Sequence, residues 1–444
     1  MKKVLLFGAG KSATCLIDYL IANADAENWH VTIVDVDESV VRAKTNNAVC
    51  TTAISIDIRN EADRNELISA ADIVISLMPP ALHFLIAQSC LELSKNLLTA
   101  SYVDDYIKEL SKEITEKGLL FLCEMGLDPG IDHMSAMQII DDIKAKGGTI
   151  TSFKSHCGGL VAPESDDNPW HYKISWNPRN VVNAGKAGAI YKENGEIFEV
   201  EVMSIFAECH EIEVAGAGTY AYYANRDSLS YIPIYHLEET ETFIRTTLRH
   251  PAFCRAWNQV VWIELADTED AYLIKKFTTI KEWFFGKLYE LDVREMAWDE
   301  YLELNVDVPH RVELTNMFEY LGLFSDENIP GHCTCSADIL QWLMERKWVL
   351  QPHDKDMVVM VHEIGYEIDG EGYDLQSTLV VKGEDQLRTA MAKTVGLPLG
   401  IATKLILNGT IQTKGLHIPI NKEIYEPVLK ELKANGVSFT EKMG

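Results

Sequence analysis

The tightest constraint on this chain lies in its first 35 residues. An apolar run from Lys3 to Phe7 meets Gly8-Ala9-Gly10-Lys11-Ser12-Ala13, and an amphipathic helical pattern follows through Ala22. Strand, glycine turn and helix in that order open a dinucleotide-binding unit. Gly8 permits the tight turn and Gly10 lets the backbone approach a pyrophosphate. Ala13 stands where a third small residue allows helix to pack on strand. The helix N-terminus, with Lys11 and Ser12, offers N–H groups and a positive dipole end to phosphates. The next strand, His30 to Val34, ends in Asp35, 27 residues after Gly8. A carboxylate there would grip the adenosine ribose hydroxyls.

The alternation continues with a third strand over Val49–Ile56, a helix over Glu61–Ala70 and a fourth strand over Asp72–Leu77, which Met78-Pro79-Pro80 stops. Leu77 and Met78 thereby fall at the crevice edge beside a cofactor, although the prolines would also serve merely to end the strand. His83 reads as structural. A fifth strand, Asn96–Ala100, ends in Ser101-Tyr102, and a sixth, Gly118–Cys123, leads into Glu124-Met-Gly-Leu-Asp-Pro-Gly-Ile-Asp-His133. In that stretch Asp128-Pro129-Gly130 forces a turn at the carboxyl end of a strand, where a carboxylate would face a ligand. Asp128 and Asp132 are therefore site residues or turn and helix-cap residues, and spacing leaves both readings open.

Length and charge narrow the class. At 444 residues the chain calls for two to three domains, and 40 Lys plus Arg against 67 Asp plus Glu leave a net charge of −27. Such a surface repels a phosphate backbone, so neither nucleic acid nor an anionic membrane is expected as a partner, and an anionic substrate needs a local basic pocket. The nine cysteines are scattered singly, and Cys333 and Cys335, the closest pair, lack a second cluster. No metal site or disulfide framework is expected, and a reducing, cytoplasmic setting follows. The apolar run after Met1-Lys2-Lys3 is too short for a signal peptide, and no run reads as long enough to span a bilayer.

From Thr149 the texture changes. Ile150–Ser155 reads as a strand ending in His156-Cys157-Gly158-Gly159, and residues 162–170 form a loop too polar for core. A hairpin is signalled at Asn194-Gly195, and 236–348 reads as helical. Strands return at Asp356–Ile368 and Tyr373–Lys382 across Asp369-Gly370, so strands on both sides of the helical part should form one mixed sheet. In the long apolar helix Gln386–Leu407, Gly396, Pro398 and Gly400 imply a kink or close packing.

Taken together, the sequence resembles the saccharopine dehydrogenase family of the glutamate-forming type, also called saccharopine reductase. The resemblance is carried by Val74-Ile-Ser-Leu77, Ser101-Tyr102, Gly126 to His133, Cys157-Gly-Gly-Leu160, Ala162-Pro-Glu164, Asn168-Pro169, Tyr172-Lys173, Ser175-Trp176, Asn225-Arg-Asp-Ser228, Ile244-Arg245, Thr247-Leu-Arg249, Leu321 to Ser325 and Asp356 to Val359. It implies an α/β protein with a variant Rossmann domain over 1–125. A mixed-sheet substrate and dimerisation domain would follow over 126–235 and 350–444, its C-terminal end a candidate to pack on the first domain, with an α-helical insert over 236–349. The implied reaction converts saccharopine, NAD(P)⁺ and water into L-glutamate and 2-aminoadipate 6-semialdehyde in a homodimer. Tyr102, Asp128 and Cys157 would lie near the reacting carbon, Arg226 on a substrate carboxylate, and Ser101 and Gly158 beside the substrate.

A tricarboxylate asks for cations, so Lys173, Arg245 and Arg249 join Arg226 as candidates, and His133 and His156 join the candidate proton carriers. Where NADP-using fungal members carry a basic residue after the second strand, this chain has Asp35-Val36-Asp37, which leans it toward NAD while leaving NADP open. A sister enzyme, such as a lysine or carboxynorspermidine dehydrogenase, and a non-catalytic nucleotide sensor remain as alternatives.

Overall fold

Alternating apolar runs and helices in the first 122 residues build a parallel sheet from β1 (Lys2–Phe7), β2 (Trp29–Asp35), β3 (Thr51–Ser55), β4 (Ile73–Ser76), β5 (Asn96–Thr99) and β6 (Leu120–Leu122). A seventh strand, Gly415–His417, comes from the far end of the chain. The order is Gly415–His417, β6, β5, β4, β1, β2, β3. The central strands are apolar at nearly every position because helices cover both faces. The computed structural model describes residues 1–292 and 296–444. From β1 the chain moves outward to β2 and β3, then returns across β1 to β4, with Leu5 opposite Val74 and Phe7 opposite Ser76. That reversal opens a crevice at the carboxyl ends of β1 and β4.

Contacts divide the chain into two compact units, Met1–Ile150 with Tyr366–Gly444, and Thr151–Gly365. Residues 126–150 and 366–444 thus group with the nucleotide-binding sheet, a boundary different from the sequence expectation. The cause is packing. Helix Ile131–Ala145 lies against helix Lys422–Ala434, where Tyr425 donates a hydrogen bond to Asp141 Oδ2 at 2.5 Å, and Gly415–His417 extends the sheet beyond β6. Helix Ala390–Leu407 packs on helix α1 (Thr14–Asn23).

The expectation that no segment is long enough to span a bilayer needs correction. Ala390–Leu407 has 18 residues and a mean hydropathy of 1.3, enough by length and composition, but 72% of it is buried within the protein. Its glycines explain why. A Cβ at Gly396 would stand 2.8 Å from Leu16 N and one at Gly400 2.6 Å from Tyr19 Cδ1, so only glycine lets the two helices approach this closely. Close packing is realised, and Pro398 is accommodated inside the helix.

A mixed ten-stranded sheet runs His210–Val214, Gly218–Ala224, Thr242–Arg249, Thr149–Val161, Asp356–Ile368, Glu371–Lys382 and Thr440–Met443. Ala189–Glu193, Glu196–Val200 and Arg226–Asp227 are attached beside it. Two sequence readings are revised. The strand read as Ile150–Ser155 continues to Val161, because parallel pairing with Thr242–Arg249 carries Thr246 opposite His156 and Thr247 opposite Cys157. Conversely, the stretch read as helical begins with that same strand, whose β-branched residues favour extended backbone.

The helices after Pro251 enclose an aromatic core with Trp257, Trp283 and Trp348 fully buried. Trp170, placed in a loop judged too polar for core, is buried among them, its Nε1 donating to Met317 O at 2.6 Å, while Asn168 satisfies the loop backbone. Gly396→Val should lower stability by about 1–3 kcal/mol through overpacking against α1. The melting temperature should fall accordingly, whereas Gly331→Ala, where a Cβ meets nothing within 4 Å, should leave it unchanged.

Candidate active site

In the first unit the nucleotide crevice is shaped by backbone proximity. Gly8 has φ +100°, and a Cβ there would sit 2.7 Å from Leu77 O. Gly8 N–H donates to Val34 O and Leu77 N–H to Phe7 O, both at 2.8 Å, so the first turn is pressed onto the end of β4. At Gly10 a Cβ would meet nothing within 4 Å, which leaves open space where a pyrophosphate fits. Lys11–Ala13 form a 3₁₀ turn leading into α1, with Ala13 buried against the sheet. Met78 packs partly buried against the core under β4.

Asp35 works harder than its expected ribose contact requires. Its Oδ2 accepts Ala9 N–H at 2.7 Å and its Oδ1 accepts Val36 N–H at 2.8 Å, tying the glycine turn to the end of β2. Lys44, which sequence reasoning missed, donates to the Gly10 carbonyl. Burial pulls its ammonium down to about 8, with Asp35 acting in the opposite sense. No spacing rule singles out a lysine on helix Glu38–Thr45; only the return of that helix toward the turn does so.

Past β5 and β6 two loops are laced together: Glu124 N–H donates to Ser101 O and Met125 N–H to Thr99 O, each at 3.0 Å. Glu124, at φ +56°, turns its side chain inward, where Oε1 accepts Val103 N–H at 3.1 Å and Oε2 meets His133 Nε2 at 2.8 Å. The Gly126–Gly130 loop doubles back on itself. Gly126 N–H donates to Pro129 O, and Ile131 and Asp132 donate to Gly126 O and Leu127 O. A Cβ at Gly130, φ +147°, would overlap Gly126 O at 2.1 Å.

This loop places Asp132 and Asp128 in different surroundings. Asp132 caps, its Oδ1 accepting Gly130 N–H at 2.5 Å. Tyr102 Oη donates to Asp128 Oδ1 at 3.5 Å, the long end of hydrogen-bond range. Two of the three expected central residues are thus brought together. Ser101 is held from behind by the buried His83, Nε2 to Oγ 2.8 Å, a link the sequence did not reveal.

In the second unit Cys157 lies buried inside its strand rather than in a terminal turn. Gly158 is obligatory there, since a Cβ would stand 2.6 Å from Leu248 O. Arg226 and Arg245 converge: Asn225 N–H donates to Arg245 O at 2.9 Å and Arg245 N–H to Ser228 Oγ at 3.0 Å, pinning the Asn225–Ser228 turn onto the strand that carries Arg245. The Arg245 guanidinium lies 4.3 Å over the Tyr231 ring, and Arg226 is exposed at φ +54°. Arg249 is 4% exposed, donates from Nη1 to Leu248 O, and among the described residues its Nε has no hydrogen-bond partner. A buried guanidinium with donors to spare is suited to a carboxylate.

One expected cation and one imidazole are engaged by other side chains. Lys173, expected as a substrate cation, is buried with Nζ 2.7 Å from Asp354 and 2.9 Å from Asp167. Burial opposes its charge, but hydrogen bonds to Asp354 and Asp167 carry its pKa above the ordinary value. Its position is that of a structural ion pair. His156 is likewise engaged, by Thr246 Oγ1 at 2.7 Å and Glu363 Oε2 at 3.1 Å.

A parallel sheet with a glycine-lined switch point, and beside it a phenol and a carboxylate on laced loops, is the architecture of a dinucleotide-dependent oxidoreductase. Residues 4–122 match the saccharopine dehydrogenase NADP binding domain and residues 126–437 the saccharopine dehydrogenase C-terminal domain. The chain belongs to the saccharopine dehydrogenase family. It is 34% identical over 447 residues to the saccharopine dehydrogenase [NADP(+), L-glutamate-forming] of Saccharomyces cerevisiae, covering 99% of each. The apo crystal structure of the saccharopine dehydrogenase (L-Glu forming) from that yeast superposes with a TM-score of 0.88 over 100% of both chains at 33% identity. It is also 33% identical to the mitochondrial alpha-aminoadipic semialdehyde synthase of Rattus norvegicus, over 99% of this chain and 47% of that protein. A homospermidine synthase from Legionella pneumophila, at 10% identity and a TM-score of 0.56, shares the fold.

Lys173→Met should destabilise the protein by about 3–5 kcal/mol, reduced for the exposed Asp167, because Asp354 loses its partner. Denaturant unfolding checks the loss, and KM for saccharopine should stay within about twofold. A large rise in KM without loss of stability would restore Lys173 as a substrate ligand.

Proposed function

We propose that this protein is an L-glutamate-forming saccharopine dehydrogenase, interconverting saccharopine, NAD(P)⁺ and water with L-glutamate and 2-aminoadipate 6-semialdehyde. The observation that carries this reading is the placement of Asp128 on a glycine-locked loop within hydrogen-bond reach of Tyr102. Full-length family membership supports the choice of substrate. Nine free cysteines support a cytoplasmic setting, and the family resemblance supports a homodimer, which light scattering would check.

The residues that fit the dinucleotide are Gly8, Gly10, Lys11 and Ser12 for the pyrophosphate, Asp35 for the adenosine ribose, and Leu77 and Met78 along the crevice wall. When bound, the nicotinamide supplies the hydride acceptor. Hydride leaves the carbon next to the secondary amine, whose nitrogen must be neutral for its lone pair to form the C=N bond. Water then adds to that carbon and gives up one proton; the C–N bond breaks as nitrogen takes up that proton, and the hydroxyl left on carbon releases its own proton to solvent as it becomes the aldehyde carbonyl. Asp128 is the group assigned to take the water's proton and return it to the departing amine, with the Tyr102 hydroxyl orienting its carboxylate. Arg226, Arg245 and Arg249 are assigned to substrate carboxylates, and Cys157 with Gly158 to positioning the substrate.

Asp35 supports a preference for NAD, because a 2′-phosphate brought to its carboxylate meets like charge. Lys44, close behind the same turn, favours some tolerance of NADP, the cofactor named for the yeast relative.

Asp128→Asn should reduce kcat by ~10²-fold or more, the usual scale for a lost acid–base group, with circular dichroism unchanged. Retention of kcat within about threefold, while Cys157→Ser or Tyr102→Phe loses ~10²-fold, would move the base elsewhere. For the cofactor, kcat/KM for NAD⁺ should exceed that for NADP⁺, and Asp35→Arg should erode or invert the ratio. Equal or better turnover of NADP⁺ by the unmodified protein would sink the NAD assignment.

A further inference from the structure

Behind Ser101 runs a hydrogen-bonded line that the reaction as described does not use. Ser76 Oγ, on the last residue of β4, lies 2.8 Å from His83 Nδ1, and His83 Nε2 lies 2.8 Å from Ser101 Oγ. Ser76 is 0% and His83 3% exposed. Among the described residues His83 is the one hydrogen-bond partner of the Ser76 hydroxyl and the one side-chain partner of the Ser101 hydroxyl. Thr99 Oγ1 stands farther from Nε2, at 3.5 Å, and accepts Ser101 N–H.

Counting donors decides the tautomer. A neutral imidazole donates from one nitrogen and accepts at the other. If Nδ1 carried the hydrogen, Ser76 would have to accept it, and its own hydroxyl hydrogen, sealed from water, would have no acceptor. The single acceptor site at Nε2 would then be contested by Thr99 and Ser101. If Nε2 carries the hydrogen, Ser76 donates to Nδ1, Nε2–H donates to Ser101 Oγ, and Thr99 alone needs an acceptor. The second arrangement leaves fewer buried polar groups unmet, each of which is costly. Burial also lowers the His83 pKa to about 4, against a small opposing influence of Asp104, which keeps the ring neutral near pH 7.

With Nε2–H occupying a lone pair of Ser101 Oγ, the hydroxyl hydrogen of Ser101 is directed away from His83. We propose that Ser76 and His83 form a tautomer lock that makes Ser101 an obligate hydrogen-bond donor to a carboxylate oxygen of the substrate. His83 is then a positioning residue, acting through Ser101. The assignment of Ser101 to the substrate rests on the proposed function; the lock itself does not.

Two measurements separate the two claims. In the unmodified protein, ¹⁵N-histidine NMR should show His83 with a bare Nδ1 and a protonated Nε2, and Ser76→Ala should convert it to a mixture. A protonated Nδ1 would overturn the lock whatever the enzyme's substrate. In steady-state assays with saccharopine, His83→Leu should raise KM about tenfold with a smaller change in kcat, the scale of one hydrogen bond. His83→Gln, whose amide N–H reaches the place of Nε2–H, should restore KM to within about threefold. In a Ser101→Ala background His83→Leu should have no further effect; an equal effect with and without Ser101 would show that His83 does not act through it. Absence of saccharopine turnover in the unmodified enzyme would defeat the proposed function and the substrate assignment while leaving the NMR result to decide the lock.

Discussion

The approach of Gly8 to the carbonyl of Leu77 is the contact on which the nucleotide site depends. A side chain at position 8 would overlap that carbonyl and require a strained φ, so β1 and β4 could not end side by side with their turns touching. With glycine there, the switch point closes on its inner side and the Asp35 carboxylate can reach back to Ala9 N–H. The crevice is therefore a product of backbone proximity. Side chains such as Lys44 then decorate a floor that already exists.

A second constraint of the same kind governs the loop that carries Asp128. The Gly126–Gly130 loop folds so tightly that its own backbone excludes a Cβ at Gly130, and its hydrogen bonds are satisfied internally. Asp132, in the first turn of the helix that follows, accepts the Gly130 N–H. The Asp128 carboxylate lies within reach of the Tyr102 hydroxyl. The lacing of Glu124 to Ser101 and of Met125 to Thr99 makes the two loops one rigid support.

The charge distribution sets a few buried cations apart within an acidic protein. A net charge of −27 predicts a repulsive surface, yet the second unit holds Arg245 and Arg249 inside, stacked on Tyr231, Tyr172 and Phe253. Guanidinium tolerates such aromatic burial better than ammonium, being more weakly hydrated. Lys173, by contrast, is buried with two carboxylates and its charge is consumed structurally. The cations fall into separate roles according to what surrounds them, which a count of Lys and Arg does not reveal.

What the sequence determined by itself was local or periodic. The Gly8 to Ala13 turn between strand and helix, the Asp369-Gly370 hairpin and the near-tripeptide restriction at Asp128-Pro129-Gly130 are set by φ preferences and apolar spacing within a few residues. The tertiary structure decided whatever depends on partners far away in the chain. Thr242–Arg249 became a strand because Thr149–Val161 lay ready to pair with it, and Trp170 became core because helices 80 and more residues later closed over it. Lys173 lost its candidacy to Asp354, 181 residues away. His83 found its partners in Ser76 at the end of β4 and Ser101 just past β5. The physical reason is common to all four: hydrogen bonds, ion pairs and burial are properties of neighbours in space, and a linear pattern specifies those neighbours only once the sheets have chosen their order.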